Sequence, residues 1–174
     1  YMPITWITSL LGTLALIGEA TLKLLPQPEA VRTLRALYRD VASAAAAVAR
    51  LMEREQPFLA VCLGHQTLCH HLDIPLAFKD IVFQGTQSPV SLGGRTERVG
   101  FYNTFVGRLG DRAAPPEGVV VDADPESGDI HALSGPHYRG IQFHAESILT
   151  EHGFELIHEL VRGLLVPDPP RGRH

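Results

Sequence analysis

The sequence predicts an α/β fold of three layers, in which a mostly parallel sheet is flanked by helices. Short apolar runs, such as residues 58–61 and 138–143, have the length of buried strands. Helix-like stretches alternate with these runs, and the clearest are residues 29–55 and 150–165. The chain has 174 residues, of which 45% are hydrophobic, and this is enough for one domain with a proper core.

Charge and cysteine content narrow the range of functions. The net charge of −4 leaves no basic footprint for nucleic acid. The two cysteines, Cys62 and Cys69, do not make a disulfide framework, and a free thiol fits a reducing cytoplasm. The apolar stretch 4–17 is shorter than a membrane span, and no basic region precedes it. We therefore expect a cytoplasmic protein that binds neither nucleic acid nor membrane.

The N-terminal residues 1–49 are expected to be an atypical helical segment ahead of a core at residues 50–166. Within it, residues 4–17 predict a buried helix or a partly ordered segment. Pro26-Gln27-Pro28 then marks a break between predicted elements. Residues 29–55 predict a helix, because their apolar positions recur at spacings of three and four and a proline stands at the start.

The stretch from Phe58 to Gln66 predicts a strand that turns sharply into a helix. Its apolar residues end at Cys62, Gly64 follows, and helix-compatible residues run from Gln66 to Leu72. Such an elbow lifts a nucleophile out of the sheet, and the helix N-terminus favours the thiolate. The alternative is a buried cysteine at a strand end, and this stretch alone does not decide between the two.

A metal site is a further alternative for the same region. His65 and Cys69 are one helical turn apart, which is a possible ligand spacing. The elbow already accounts for Cys62, however, and histidines often occur in helices as surface or capping groups. We expect no metal and no other cofactor in this domain.

The second half of the chain is expected to alternate strands and turns before a closing helix. The predicted elements are a short strand near 76, a strand at 81–85, a polar loop at 86–89, a hairpin at 91–95, an aromatic segment at 101–105, strands at 119–121 and 130–133, a strand at 138–143, a helix at 150–165 capped by Thr150, and a disordered tail at 167–174.

The strand at 138–143 leads to a histidine and a carboxylate. A cysteine nucleophile needs a base, and the base needs an orienting group. His144 and Glu146 alternate on an extended segment, so both can face one side. Since active sites of parallel sheets lie beyond the carboxyl ends of their strands, we predict a catalytic set of Cys62, His144 and Glu146.

Two motifs carry a resemblance to a known family. Val61-Cys62-Leu63-Gly64-His65-Gln66 and Phe143-His144-Ala145-Glu146-Ser147 resemble those of class I glutamine amidotransferase domains, which have a flavodoxin-like fold. The segment 97–105 resembles the phenazine-type 2-amino-2-deoxyisochorismate synthases, relatives of fused anthranilate synthases. The resemblance runs from about residue 50 to about residue 165. It implies hydrolysis of L-glutamine through a cysteine thioester, with the ammonia passed to a chorismate-using synthase subunit or domain.

The resemblance also implies contacts with the substrate. The backbone N–H of Leu63 would stabilise the oxyanion, and Gly64 would let the backbone pass close to the glutamine. Further residues are expected to hold the substrate or border its pocket: Gln66, Gln84, and the backbone groups of Thr104 and Phe105.

The N-terminal third departs from the family pattern. Family members carry a Gly-Pro-Gly type loop upstream of the nucleophile, which supplies an oxyanion donor, and no such loop precedes Cys62. We therefore expect the N-terminal strand and the oxyanion loop to be missing or replaced. The alternative function is a catalytically impaired or inactive relative that binds a partner or is a remnant. A stand-alone γ-glutamyl hydrolase or peptidase is less favoured by the segment 100–105.

Overall fold

The computed structural model describes residues 5–8, 34–35, 41–110 and 114–165. Its elements in chain order are β1 (Thr5–Thr8), β2 (Leu34–Arg35), α1 (Val41–Glu53), β3 (Phe58–Val61), α2 (Leu63–His71), β4 (Leu76–Leu92), β5 (Arg95–Gly107), β6 (Val120–Ala123), β7 (Ile130–Ser134), β8 (Tyr138–Ile141) and α3 (Gly153–Leu165).

Six of these strands form one mixed sheet in the order β2-β1-β3-β8-β7-β6. Strands β2, β1, β3 and β8 are parallel to one another, whereas β7 pairs antiparallel with both β8 and β6. The remaining strands, β4 and β5, form a separate antiparallel ribbon. The predicted α/β class is confirmed, with three parallel pairings on one side of the sheet and two antiparallel pairings at the other.

The two faces of the sheet are packed against different helices, as the alternation of side chains along a strand requires. On β3, Leu59 and Val61 join a core cluster that includes Leu156 and Leu164 of α3. The side chains between them, at positions 58 and 60, point the other way and join a second cluster. Its buried helical members are Val48 of α1 and Leu68 and Cys69 of α2. The three layers predicted from the sequence are therefore present.

The N-terminal segment differs from the expectation. Residues 5–8 form a strand rather than part of a helix, and β1 lies beside β3 with Thr5 opposite Phe58. A short N-terminal strand is thus present at a position where we expected it to be missing or replaced. The β-branched residues Thr5, Ile7 and Thr8 favour this state. The segment 9–33, with Pro26-Gln27-Pro28 and any oxyanion loop within it, lies outside the described residues.

The expected helix at 29–55 is also shorter than predicted. Residues 34–35 pair with β1 as strand β2, and the helix begins only at Val41. Its centre is the alanine run 44–47, where helix propensity is highest. Helix α1 crosses residue 50, where the sequence analysis placed the start of the core.

The ribbon confirms the predicted hairpin but not the loop before it. Gly93 and Gly94 form the tight turn with φ values of 57° and 82°. Residues 86–89, expected as a polar loop, instead pair with residues 98–101 of β5 and belong to one strand of 17 residues. Pairing with a neighbouring strand satisfies their backbone groups, which overrides their polar composition.

A buried ionic network fastens the ribbon to the main sheet. Asp129, just before β7, binds Lys79 of β4 and also accepts from Nε of Arg108 at 2.7 Å. Burial by itself would raise the pKa of Asp129, but the bonds from Lys79 and Arg108 hold that pKa below its ordinary value. The Lys79 ammonium also lies 4.2 Å from the ring centre of Phe83.

Three element boundaries differ from the sequence prediction. Helix α2 begins at Leu63 instead of Gln66, β8 ends at Ile141, and α3 begins at Gly153. Thr150 is not the helix cap, because its hydroxyl accepts from the N–H of Gly100 at 3.0 Å and donates to the carbonyl of His144 at 2.6 Å. The expected tail at 167–174 lies outside the described residues. Among the described helices, none combines the length and apolar character needed to cross a bilayer.

Candidate active site

Cys62 stands at the turn between β3 and α2, as the elbow prediction required. Its backbone has φ 53° and ψ −108°, which is a strained conformation for a residue other than glycine. Two hydrogen bonds hold the turn: the N–H of Cys62 donates to the carbonyl of Ile141 at 2.8 Å, and the N–H of Gln66 donates to the carbonyl of Cys62 at 3.0 Å. The nucleophile candidate is therefore fixed between the sheet and the first turn of a helix.

Gly100 on β5 brings the His144 segment to the same place. The N–H of His144 donates to the carbonyl of Gly100 at 2.9 Å, and the N–H of Gly100 in turn binds Thr150. A Cβ at position 100 would come within 2.7 Å of the Cβ of Leu149. The close approach of residues 144–150 to β5 thus depends on a residue without a side chain.

The imidazole of His144 is held on two sides. Its Nδ1 lies 2.8 Å from Oε1 of Glu146, and the ring of Tyr102 meets it edge to face, with 5.3 Å between ring centres. The hydroxyl of Tyr102 is itself 3.2 Å from the hydroxyl of Ser147. The orientation of the histidine ring is therefore set by a carboxylate and an aromatic ring together.

Electrostatics couple His144 to both of its proposed partners. Burial alone would lower the pKa of His144, but its interactions with the Cys62 thiol and the Glu146 carboxylate outweigh burial and raise the pKa to about 10. Burial would likewise raise the pKa of Glu146, and the bond from His144 brings it below its usual range. The sequence-predicted set of Cys62, His144 and Glu146 is thus assembled in one place.

The side-chain amides of Gln142 and Gln66 form a series of hydrogen bonds from Cys62 to strand β5. Nε2 of Gln66 donates to the carbonyl of Phe105 at 2.8 Å and to Oε1 of Gln142 at 3.2 Å. Nε2 of Gln142 in turn donates to Sγ of Cys62 at 3.8 Å. The structure therefore links Gln66 and Phe105, which the resemblance had placed at the substrate.

The other expected substrate residues lie near this network. Leu63 and Gly64 form the first turn of α2, where backbone N–H groups have no partner within the helix. Thr104 precedes Phe105 on β5, and Gln84 is paired with Tyr102 across the ribbon. The side chain of Phe105 is half exposed and packs edge-on against a second ring of the ribbon, that of residue 78.

Sequence reasoning missed two residues of the site, Gln142 and Tyr102. Gln142 is completely buried and precedes His144 by two positions, so the same alternation that selected Glu146 could have selected it. Tyr102 lies within the aromatic segment 101–105, but nothing local indicated that its ring would meet His144. That contact follows from the pairing of β5 with the segment after β8.

The His65–Cys69 pair is a part of the core. Both residues are fully buried, with Nε2 of His65 at 3.6 Å from Sγ of Cys69. Burial lowers the pKa of His65 to about 4 and raises the pKa of Cys69 to about 12, so both are neutral at pH 7. Among residues 5–8, 34–35, 41–110 and 114–165, no three His, Cys, Asp or Glu side chains are grouped so as to hold a metal ion.

The arrangement around Cys62 has the components of nucleophilic acyl chemistry. A thiol lies at a helix N-terminus, an imidazole is electrostatically coupled to it, and a carboxylate lies within hydrogen-bond distance of the imidazole. Backbone N–H groups of the first turn of α2 have no partner within the helix, and such groups can stabilise a developing negative charge.

Several known proteins are similar to this chain in sequence. A family model described as glutamine amidotransferase class-I matches residues 19–163. A phenazine-specific anthranilate synthase of Pseudomonas fluorescens is 44% identical over 126 residues, which is 71% of this chain and 20% of that protein. The aminodeoxychorismate synthase component 2 of Klebsiella aerogenes is 32% identical over 125 residues, which is 68% of this chain and 67% of that protein. The chain therefore spans about a fifth of the first relative and two thirds of the second.

Solved structures show the same fold. A protein from Thermoplasma acidophilum, provisionally described as part of a GMP synthase, aligns with a TM-score of 0.59 at 14% identity, and the match covers 72% of this chain and 65% of that one. A glutamine amidotransferase from Thermotoga maritima aligns with a TM-score of 0.50 at 17% identity, and the match covers 61% of this chain and 47% of that one. At these identities the likeness concerns the fold alone.

Proposed function

We propose that this chain, which belongs to the glutamine amidotransferase class-I family, hydrolyses the side-chain amide of glutamine to glutamate and ammonia. The observation that carries the proposal is the position of Cys62 at a strand–helix elbow, electrostatically coupled to His144, whose Nδ1 lies 2.8 Å from the Glu146 carboxylate. A nucleophile, a base and an orienting group are the three parts that acyl transfer by a thiol requires.

The proposed reaction has two steps. His144 takes the thiol proton of Cys62 as the sulfur attacks the amide carbon of glutamine, and when the C–N bond breaks the imidazolium of His144 gives that proton to the leaving ammonia. A thioester between Cys62 and the γ-glutamyl group remains. Water, deprotonated by His144, then attacks the thioester carbon, which releases glutamate and returns the proton to the site. Glu146 keeps the imidazole oriented and stabilises its charged form.

The surrounding residues have supporting roles in this proposal. The backbone N–H of Leu63 stabilises the oxyanion, and Gly64 leaves the backbone open to the substrate. Gln66, Gln84, Thr104 and Phe105 hold the glutamine or border its pocket. For Gln66 and Phe105 the support is the hydrogen bond of 2.8 Å between them, and Gln142 links Gln66 to Sγ of Cys62.

A chorismate-using synthase, of the anthranilate or aminodeoxyisochorismate type, is the proposed acceptor of the ammonia. The similarity to a phenazine-specific anthranilate synthase and to an aminodeoxychorismate synthase component 2 supports this assignment. Because this chain spans a fifth of the first of these relatives, the synthase is proposed as a further subunit or domain.

A second candidate function is that of a catalytically impaired relative that binds the same synthase. The absence of a Gly-Pro-Gly sequence before Cys62 favours it, because that loop would supply an oxyanion donor. The two candidates differ in one observable quantity, which is glutamate release that depends on the thiol of Cys62.

The test is glutamate release from glutamine by the purified chain in the presence of a chorismate-using synthase subunit. We expect release by the wild-type chain and its loss in Cys62→Ser, with Cys69→Ser as the matched control that keeps it. Equal release by wild type and Cys62→Ser would contradict the proposed mechanism. No release by the wild-type chain, together with stable binding to the synthase, would select the impaired relative.

A further inference from the structure

The side-chain amide of Gln142 lies between the side-chain amide of Gln66 and the sulfur of Cys62. Gln142 is completely buried, accepts from Gln66 at 3.2 Å and donates to Sγ of Cys62 at 3.8 Å. Its backbone N–H donates to the carbonyl of His131 at 2.9 Å, which anchors it in the sheet region. A buried amide cannot turn away from its partners without leaving a polar group unpaired, so these contacts are held in place.

The direction of both amides follows from one backbone carbonyl. The oxygen of Phe105 can only accept hydrogen bonds, so Gln66 must turn its NH₂ group toward it. The second hydrogen of that group needs an acceptor, and Oε1 of Gln142 provides it. Gln142 can then present only its own NH₂ group to Cys62. The donor beside the sulfur is therefore dictated by a chain of bonds that begins on β5.

The N–H donor of Gln142 stabilises the charged thiolate form of Cys62 more than the neutral thiol. An N–H group stabilises a negatively charged acceptor more strongly than a neutral one, and the thiolate is the reactive form of cysteine. On another side of the sulfur, the carbonyl of Tyr102 lies 3.9 Å away and can bond only to the neutral S–H. The Tyr102 carbonyl thus favours the neutral thiol, whereas the Gln142 amide, whose position is fixed, favours the thiolate.

We propose that Gln142 is a positioning residue that holds an N–H donor against Sγ of Cys62 and so favours the thiolate, with Gln66 and the Phe105 carbonyl setting the direction of the donor. This inference deepens the proposed function, since it rests on Cys62 being the nucleophile of the site. It assigns to Gln142 a role in preparing that nucleophile rather than in binding glutamine.

The experiment is the pH dependence of alkylation of Cys62 by iodoacetamide in the full chain, followed by peptide mass mapping. Gln142→Met keeps the length of the side chain without its polar atoms, and Gln142→Glu keeps an acceptor for Gln66 but removes the donor. For Gln142→Met we expect the midpoint of the pH–rate profile to rise by about one unit, with alkylation about tenfold slower below it. For Gln142→Glu we expect a larger rise.

Gln87→Met is the matched control. Gln87 donates from Nε2 to the carbonyl of Leu149 at 2.8 Å, so it also steadies the segment after His144, but through a bond that ends on a backbone oxygen rather than on the sulfur. A merely structural loosening would slow alkylation at every pH and leave the midpoint in place. Unchanged midpoints in both Gln142 variants, or an equal shift in Gln87→Met, would overturn the proposal.

A measurement on the unaltered residue covers the case in which the Gln142 variants fail to fold. The side-chain N–H signals of Gln142, followed by NMR, should titrate with the midpoint of Cys62 alkylation and lose that titration in Cys62→Ser. Side-chain N–H signals that do not change at this midpoint would refute the proposed role of Gln142. Neither readout requires glutamine turnover, so a failure of the proposed function and a failure of this inference give different results.

Discussion

Oε1 of Glu146 lies 2.8 Å from Nδ1 of His144, and a turn brings them together. His144 itself pairs with β5 through an isolated bridge to Gly100. The chain then turns, with the N–H of Ser147 donating to the carbonyl of His144 at 3.1 Å. From the sequence, the two side chains are expected to meet by alternation on an extended segment. Their proximity is confirmed, but the turn causes it.

Glu146→Gln should lower the pKa of His144 from its value of about 10, because the carboxylate is one of the two groups that raise it against burial. Turnover should fall by up to about 10²–10⁴-fold, the contribution typical of the general base, because Glu146 orients the base His144. The pKa is measured by NMR of the imidazole, and turnover by glutamate release with the synthase subunit present. An unchanged pKa would contradict the assignment of Glu146.

The same pair predicts a pH window for stability. The pKa of His144 is raised above 6.5, so its contribution is complete below about pH 6.5 and is lost as pH rises through about 10. The pKa of Glu146 is lowered from 4.5, so its contribution is present above about pH 4.5 and is lost as pH falls. Wild type and Glu146→Gln should therefore differ most in free energy of unfolding between about pH 4.5 and 6.5, as urea titrations at several pH values would reveal.

Cys62 should be the thiol that a glutamine-like chloroketone or diazoketone alkylates. Cys69 is fully buried, and burial raises its pKa to about 12, so its reactive thiolate is scarce at neutral pH. Peptide mass mapping of the labelled chain checks this, and Cys69→Ser should label like the wild type. Labelling of Cys69 without labelling of Cys62 would contradict the assignment of Cys62 as the nucleophile.

Gly100→Ala should impair the site without touching a reactive group. The new Cβ would meet Cβ of Leu149 at 2.7 Å and Oγ of Ser147 at 3.0 Å, so residues 144–150 must shift away from β5. Since a misplacement of about 1 Å can cost about 10²-fold in rate, we expect a loss of that order in Cys62 alkylation by the chloroketone and in turnover. Wild-type rates in a folded Gly100→Ala chain would show that Gly100 does not set the position of His144.

Asp129→Asn should destabilise the fold by about 3–5 kcal/mol, the cost typical of removing one partner from a buried ion pair. The substitution leaves Lys79 buried without its counter-charge and weakens the bond from Arg108. Urea denaturation provides the measurement. Glu159→Gln is the control, because the Arg95–Glu159 pair is exposed and solvent screening should leave it with little effect on stability. Equal effects of the two substitutions would rule out the ribbon-fastening role.

The isolated chain should be a poor glutaminase. The Gly-Pro-Gly type loop is absent before Cys62, and the loss of one oxyanion donor raises the acylation barrier by roughly 3–4 kcal/mol. Labelling of Cys62 can persist while turnover is nearly absent, because the first turn of α2 and His144 remain. Glutamate release by the chain alone at the usual enzyme rates of about 1–10³ s⁻¹ would refute this expectation and would place a replacement donor in residues 1–50.

The central part of the fold and the positions of the candidate reactive residues could be predicted because their signals are local. An apolar run, a cysteine and a glycine within seven positions indicated the elbow at Cys62. The strand before His144 and the carboxylate two positions on indicated the base and its partner. The adjacent glycines at 93 and 94 indicated the hairpin, since their backbone freedom is what a tight turn needs.

The amino-acid sequence by itself determined the α/β class and predicted that Cys62, His144 and Glu146 come together. The tertiary structure alone decided that residues 5–8 are a strand, that the polar residues 86–89 lie within β4, and that Thr150 binds Gly100 instead of capping a helix. It also decided that Gln142 and Tyr102 belong to the site. The physical reason is the same in each case. These outcomes depend on hydrogen bonds and ring contacts between segments far apart in the chain, and such pairing overrides local propensity.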